Sequence, residues 1–176
     1  MIPESELPGA GNPLLQHVIE TYASETNKTA SVFRQFDGTD LAFRPHQRSS
    51  TTEEIFRHQL LSERRFFAEF LGSTEPPPGE VIPTERTAEA FAMRLEALAR
   101  PRLEYLAGQS DGWWTGTHSF FDVERQRIWI FWRRVLHSAH HRTQLTVYLR
   151  LLDKPVVSVY GPTADVTWKG ADPTVR

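Results

Sequence analysis

The sequence predicts an all-α four-helix bundle, and three observations carry that reading. Four stretches repeat apolar residues at helical spacing, proline and glycine punctuate the gaps, and almost nothing alternates with the period of a strand. The 176 residues fit one domain, taken as 1–176, long enough to bury one continuous core.

The first helix, about 13–36, opens at Asn12-Pro13, a capping residue followed by proline at the first helical position. Leu14, Leu15, Val18, Ile19 and Tyr22 recur along one side, and Val32, Phe33 and Phe36 close it before Asp37-Gly38. The second, about 51–71, starts at SSTTEE, where Ser50 with Glu53 or Thr51 with Glu54 forms a capping box; it ends at Gly72. Three consecutive prolines in STEPPPGEVIP predict a loop without helix. The third helix, about 85–107, carries Phe91, Leu95 and Leu98, and Pro101 is expected to kink it or split off its last turn. GQSDGWWTGTHSFF reads as a long crossover loop with a short strand at its end. Asp122 is the expected cap of the fourth helix, about 123–152, which Lys154-Pro155 stops. The remaining tail, VVSVYGPTADVTWKGADPTVR, is broken by proline and glycine and is expected to drape irregularly over the bundle.

Composition removes several function classes. The chain has no cysteine, so disulfides, thiolate metal ligands and a cysteine nucleophile are excluded, and thiol chemistry needs an external thiol. A formal net charge of −2 with scattered basic residues gives no footprint for nucleic acid. MIPESELPGAGNP lacks the basic and apolar regions of a signal peptide, and no apolar run approaches the ~20 residues that span a bilayer. A cytoplasmic protein without membrane or nucleic-acid partners is the expectation. Glu-x-x-His pairs, HExxH, GxGxxG, the P-loop and GxSxG are all missing.

HSAHHRTQL, residues 137–145, holds three of the seven histidines. At about 100° per residue, with His137 at zero, His141 falls at about 40°, among Ile130, Tyr148 and Leu145 at about 20–80°. His140 falls at about 300°, off that apolar stripe. Two neutral imidazoles one turn apart can offer both nitrogens to one metal ion, or each can be satisfied in the core by a carbonyl or hydroxyl. A third ligand must come from His17, His46, His58 or His118. His58, between Ile55 and Leu61, leads by a narrow margin, because the aromatic stripe of Phe66, Phe67 and Phe70 is centred away from it.

Arg134 falls on the histidine stripe, where it either grips an anionic substrate or pairs with a carboxylate such as Glu63. Gln144 and Tyr148 border the same site and either orient a ligand or hold an imidazole from behind. Glu54, one turn before His58, is the candidate general base. Nearly opposite lie Trp129, Trp132, Leu136, Ala139 and Val147, a second apolar stripe that the tail or a second subunit would cover.

His58 in TTEEIFRHQLLSERRFF, the H-x-x-x-H-R-x-Q core of HSAHHRTQLTVYLRLL, and KPVVSVYGPTAD together resemble the DinB/YfiT-like superfamily of bacterial metal-binding four-helix proteins. The likeness covers nearly the whole chain. It implies that His58, His137 and His141 bind one divalent metal, zinc or nickel, with an open position. It also implies a homodimer and a small-molecule substrate. The implied activity is that of a thiol-dependent S-transferase or a metal-dependent hydrolase, with a low-molecular-weight thiol as co-substrate in the first case. The alternative is a metal-stabilised module that carries a small ligand without turning it over.

Overall fold

Asn12 accepts a hydrogen bond from the Leu14 N–H at 2.9 Å, and Pro13 follows at the position where its missing donor costs nothing. They start α1 (Pro13–Phe33) in a computed structural model that describes residues 1–167. The helix proper ends before the expected Phe36, yet two tighter turns carry Phe36 into the core. α2 (Thr52–Arg65) begins at the capping box of Thr51 and Glu54, which settles the choice between the two pairs. It runs on as a π-helical turn (Phe66–Leu71), and Gly72 closes it in the left-handed region at φ 79°.

The connections between the long helices hold more regular structure than the sequence predicts. A short helix, α3 (Pro78–Val81), forms inside the proline-rich loop, because Pro78 sits in its first turn where no donor is needed. α4 (Ala88–Ala107), capped by Thr87, passes through Pro101 as one helix; Pro101 lies on its exposed side. The long connection is structured: α5 (Asp111–Thr115) leads into an antiparallel hairpin of β1 (Thr117–Phe120) and β2 (Val123–Gln126). Phe120 pairs with Val123 across the turn, so Asp122 is a hairpin-turn residue and not a helix cap. Phe121 beside it takes φ 55°. α6 (Arg127–Leu151) therefore starts four residues later than expected, directly after Gln126 and without a side-chain cap.

α1 packs against α4 and α6, and α2 against α6, which makes the all-α four-helix bundle with the hairpin at one end. No helix among the described residues is long and apolar enough to cross a membrane. Two apolar clusters fill the bundle. One holds Val18, Ile19, Tyr22, Phe66, Phe67, Leu103, Trp114 and Phe131; the other holds Phe33, Ile55, Phe56, Phe91, Leu95, Leu145 and Leu149. Between them each of the four long helices contributes buried polar side chains: Glu25, Thr26 and Thr29 from α1, Gln59 and Glu63 from α2, Arg102 from α4, Arg134 and Arg142 from α6. This polar layer sets the level of the histidines. The described part of the tail crosses the bundle end: Val156, Val157 and Val159 pack on the second cluster, and the Tyr160 hydroxyl donates to Glu25 Oε2 at 2.6 Å. The expectation for the tail beyond Thr167 lies outside the described residues.

Candidate metal centre

His58 on α2 and His137 and His141 on α6 bring their ring nitrogens together, one ligand atom from each lying within 4.8 Å of the others. His58 Nε2 and His137 Nε2 are 3.4 Å apart. A tetrahedral ion with metal–nitrogen bonds of about 2.0–2.1 Å holds its ligand atoms about 3.4 Å from one another, so two of the three are already at ligand spacing. Three imidazoles from two helices, without a carboxylate, fit a borderline-soft divalent ion such as zinc or nickel. His58 is exposed and the other two are half-buried, which leaves the cluster open on one side. His140 is exposed and its ring packs 5.0 Å from that of His141, outside the converging group. His17 stacks on Trp132, while His46 in its loop and His118 on β1 each bond to nearby backbone.

The surroundings keep these imidazoles neutral. Burial, then the Arg134 guanidinium and the other two rings, pushes His137 down to about 3. Burial also lowers His58 and His141, with Arg134 adding to both. Neutral rings have free lone pairs at pH 7, the condition for binding a metal.

Behind the rings the hydrogen bonds differ. His141 Nδ1 lies 3.1 Å from Gln144 Oε1, which can only accept, so the ring proton sits on Nδ1 and Nε2 is free. The Gln144 amide is pinned in turn: its Nε2 donates to the Tyr148 hydroxyl at 3.2 Å, and that hydroxyl donates to the Ser50 carbonyl at 3.0 Å. Tyr148 thus supports Gln144 and touches no imidazole in this chain of bonds. Arg134, fully enclosed, donates from Nη1 to His137 Nδ1 at 2.7 Å and to the Ser62 hydroxyl. Its Nη2 reaches Ser138 Oγ at 2.8 Å, Gln59 Oε1 at 2.9 Å and Glu63 Oε2 at 3.2 Å. Pairing with Glu63, one of the two alternatives for Arg134, is the arrangement present. Glu63 also accepts from Arg102 Nη1 at 3.0 Å and from the Tyr22 hydroxyl, so one carboxylate balances two buried guanidiniums. Those two arginines hold the Glu63 carboxyl below its usual range against the opposing effect of burial. Ser62, Gln59 and Ser138 escaped the sequence reading, although Ser138 is the neighbour of His137 and Gln59 that of His58. Glu54 is spent at the cap of α2, where its carboxylate accepts from the Thr51 N–H at 2.7 Å.

Comparison with known proteins bears on the same residues. The DinB family model matches residues 11–169, a span that includes all three histidines. Among solved structures, a DinB-like protein from Bacillus cereus superposes with a TM-score of 0.72 at 19% identity, covering 81% of this chain and 95% of that one. A DinB-like protein from Bacillus subtilis gives 0.66 at 19% identity, with the same coverage of 81% and 95%. At that identity the likeness is one of fold. No curated protein matches the sequence.

Proposed function

The chain belongs to the DinB family, and from that premise we propose that it is a metal-dependent protein in which His58, His137 and His141 hold one zinc or nickel ion that activates an external thiol. The observation that carries this reading is the convergence of three neutral imidazoles from two helices, two of them already 3.4 Å apart. A divalent ion there would supply Lewis acidity, lowering the pKa of a thiol or water in its remaining position. With three neutral ligands the ion's charge stays uncompensated by the site, which favours an anionic partner such as a thiolate. A hydrolytic site would want a carboxylate free to take a proton from water. The carboxylates of α2 on the near turns are engaged: Glu53 with Arg86 at 3.6 Å, Glu54 in the capping box, Glu63 between two arginines. That is why a thiol is the better substrate class here than water.

A cobalt-substituted sample titrated with small biological thiols tests this directly. A sulfur-to-metal charge-transfer band and faster alkylation of the thiol with protein than without support the reading. Cobalt uptake with no such band for any thiol refutes the transferase, and leaves a metal-stabilised module that carries a small ligand.

The same reading includes a cytoplasmic homodimer, of single-domain chains, joined through α6. Trp132 packs on the core beside His17, but Trp129, Leu136 and Val147 on the outer face are 43%, 63% and 53% exposed in the single chain. An apolar row of this kind suits an interface core. Leu136→Glu should halve the mass seen by light scattering while metal content stays the same; an unchanged mass argues against α6 as the interface.

A further inference from the structure

Arg134 approaches His137 from behind, with Nη1 2.7 Å from Nδ1. A guanidinium carries only donors, so the contact requires Nδ1 to present its lone pair. The proton of the neutral ring is then on Nε2, the atom that faces His58 Nε2 at 3.4 Å. An ion bound at Nε2 needs that lone pair, and a neutral ring must then carry its proton on Nδ1. That places an imidazole N–H against a guanidinium N–H, two donors opposed across a hydrogen-bond distance.

We infer that Arg134 is a positioning residue that holds the metal-free His137 ring in the tautomer unable to bind at Nε2, and that it must release His137 for a metal to seat. The inference rests on the three-histidine metal reading above. His141 offers the contrast within the same site: Gln144 Oε1 accepts from its Nδ1, so that ring is already set as a ligand. Release is feasible because Arg134 has other partners in Ser62, Gln59, Glu63 and Ser138. The void of about 10 Å³ that borders Arg134, Gln59, Glu63 and Ser138 has room for no more than one water, so release is a small turn of the guanidinium toward those partners and not a withdrawal. Repulsion between the cation and the incoming ion drives the same movement. Metal uptake at the surface is thereby coupled to the polar layer inside the bundle.

The test uses the full chain labelled with 15N at histidine, whose ring nitrogen shifts distinguish the two tautomers. His137 should be protonated on Nε2 in the metal-free protein and on Nδ1 after zinc is added. In Arg134→Gln the amide oxygen can accept from Nδ1–H as Gln144 does, so zinc should bind at least tenfold more tightly in chelator competition. Arg134→Lys, still only a donor, should gain no such affinity. Circular dichroism confirms that the variants are folded, and the wild-type tautomer stands if they are not. A metal-free His137 already protonated on Nδ1, or zinc binding by folded Arg134→Gln no tighter than wild type, overturns the inference. Wild-type protein that takes up no divalent metal overturns the metal reading itself, and the release step with it.

Discussion

Gln144 Oε1 lies 3.1 Å from His141 Nδ1, and the Tyr148 hydroxyl fixes which end of that amide faces the ring. That contact orients the imidazole and places its proton on Nδ1. Removing such a support costs roughly 10–100-fold in metal affinity. Gln144→Ala should therefore bind zinc about that much more weakly, with its melting temperature in the metal-free state little changed; chelator competition and a thermal scan measure the two.

Glu63 is the hinge of the polar layer, shared by Arg102 at 3.0 Å and Arg134 at 3.2 Å. Glu63→Gln leaves two buried guanidiniums with no countercharge between them, although Arg102 keeps Glu75 at 2.6 Å. Breaking a buried pair from one side costs about 3–5 kcal/mol. Urea unfolding of the variant should show a loss of that size; a midpoint equal to wild type would mean that the layer contributes nothing to stability.

The three depressed histidines make the metal-free fold sensitive to acid. In the unfolded chain each titrates near 6.5, whereas in the fold His137 titrates at about 3 and the other two below their ordinary value. Between those values the unfolded state binds more protons, so stability is fully present above about pH 6.5 and falls as pH drops through that window. With chelator present, the melting temperature should decline from about pH 7 to pH 5, and decline less in His137→Gln. The depressed Glu25, Glu63 and Glu96 add a further loss only below their unfolded value of 4.5. Identical slopes in wild type and His137→Gln would contradict this account of the rings.

Gly72 ends α2 at φ 79°, and a methyl group at its Cα would meet the Tyr105 hydroxyl at 3.5 Å. Space is sufficient, so the cost of Gly72→Ala is the backbone conformation, about 1 kcal/mol. Denaturant melts should show that modest loss with the metal content unchanged.

Much of this arrangement is legible in the chain where the signal is local. Asn12-Pro13, Thr51 with Glu54, and Gly72 mark helix ends through their own side chains or their absence. The phase of His137, His141 and Arg134 on α6 follows from an unbroken helix, and the observed partners agree with it. His58 was harder to place because α2 changes to a π turn at Phe66. Beyond that residue a count of about 100° per residue no longer applies. The aromatic stripe of Phe66, Phe67 and Phe70 belongs to the wider turn, and it misdirects any phase drawn from it back to His58. β1 is the short strand expected at the end of the loop, but its partner β2 was not, because Phe121-Asp122 lacks the Asn-Gly or Asp-Gly signature of a two-residue turn and Asp122 mimics a helix cap. Ser62, Gln59 and Ser138 carry no motif; only the packing of α2 on α6 brings them to Arg134.

Metal content per chain, measured by elemental analysis on purified wild type and four single variants, tests the central claim most directly. Wild type and His140→Ala should each carry one equivalent of divalent metal, while His58→Ala, His137→Ala and His141→Ala should fall to background. Equal metal content across all five proteins, or loss in His140→Ala alongside the others, would contradict the three-histidine site.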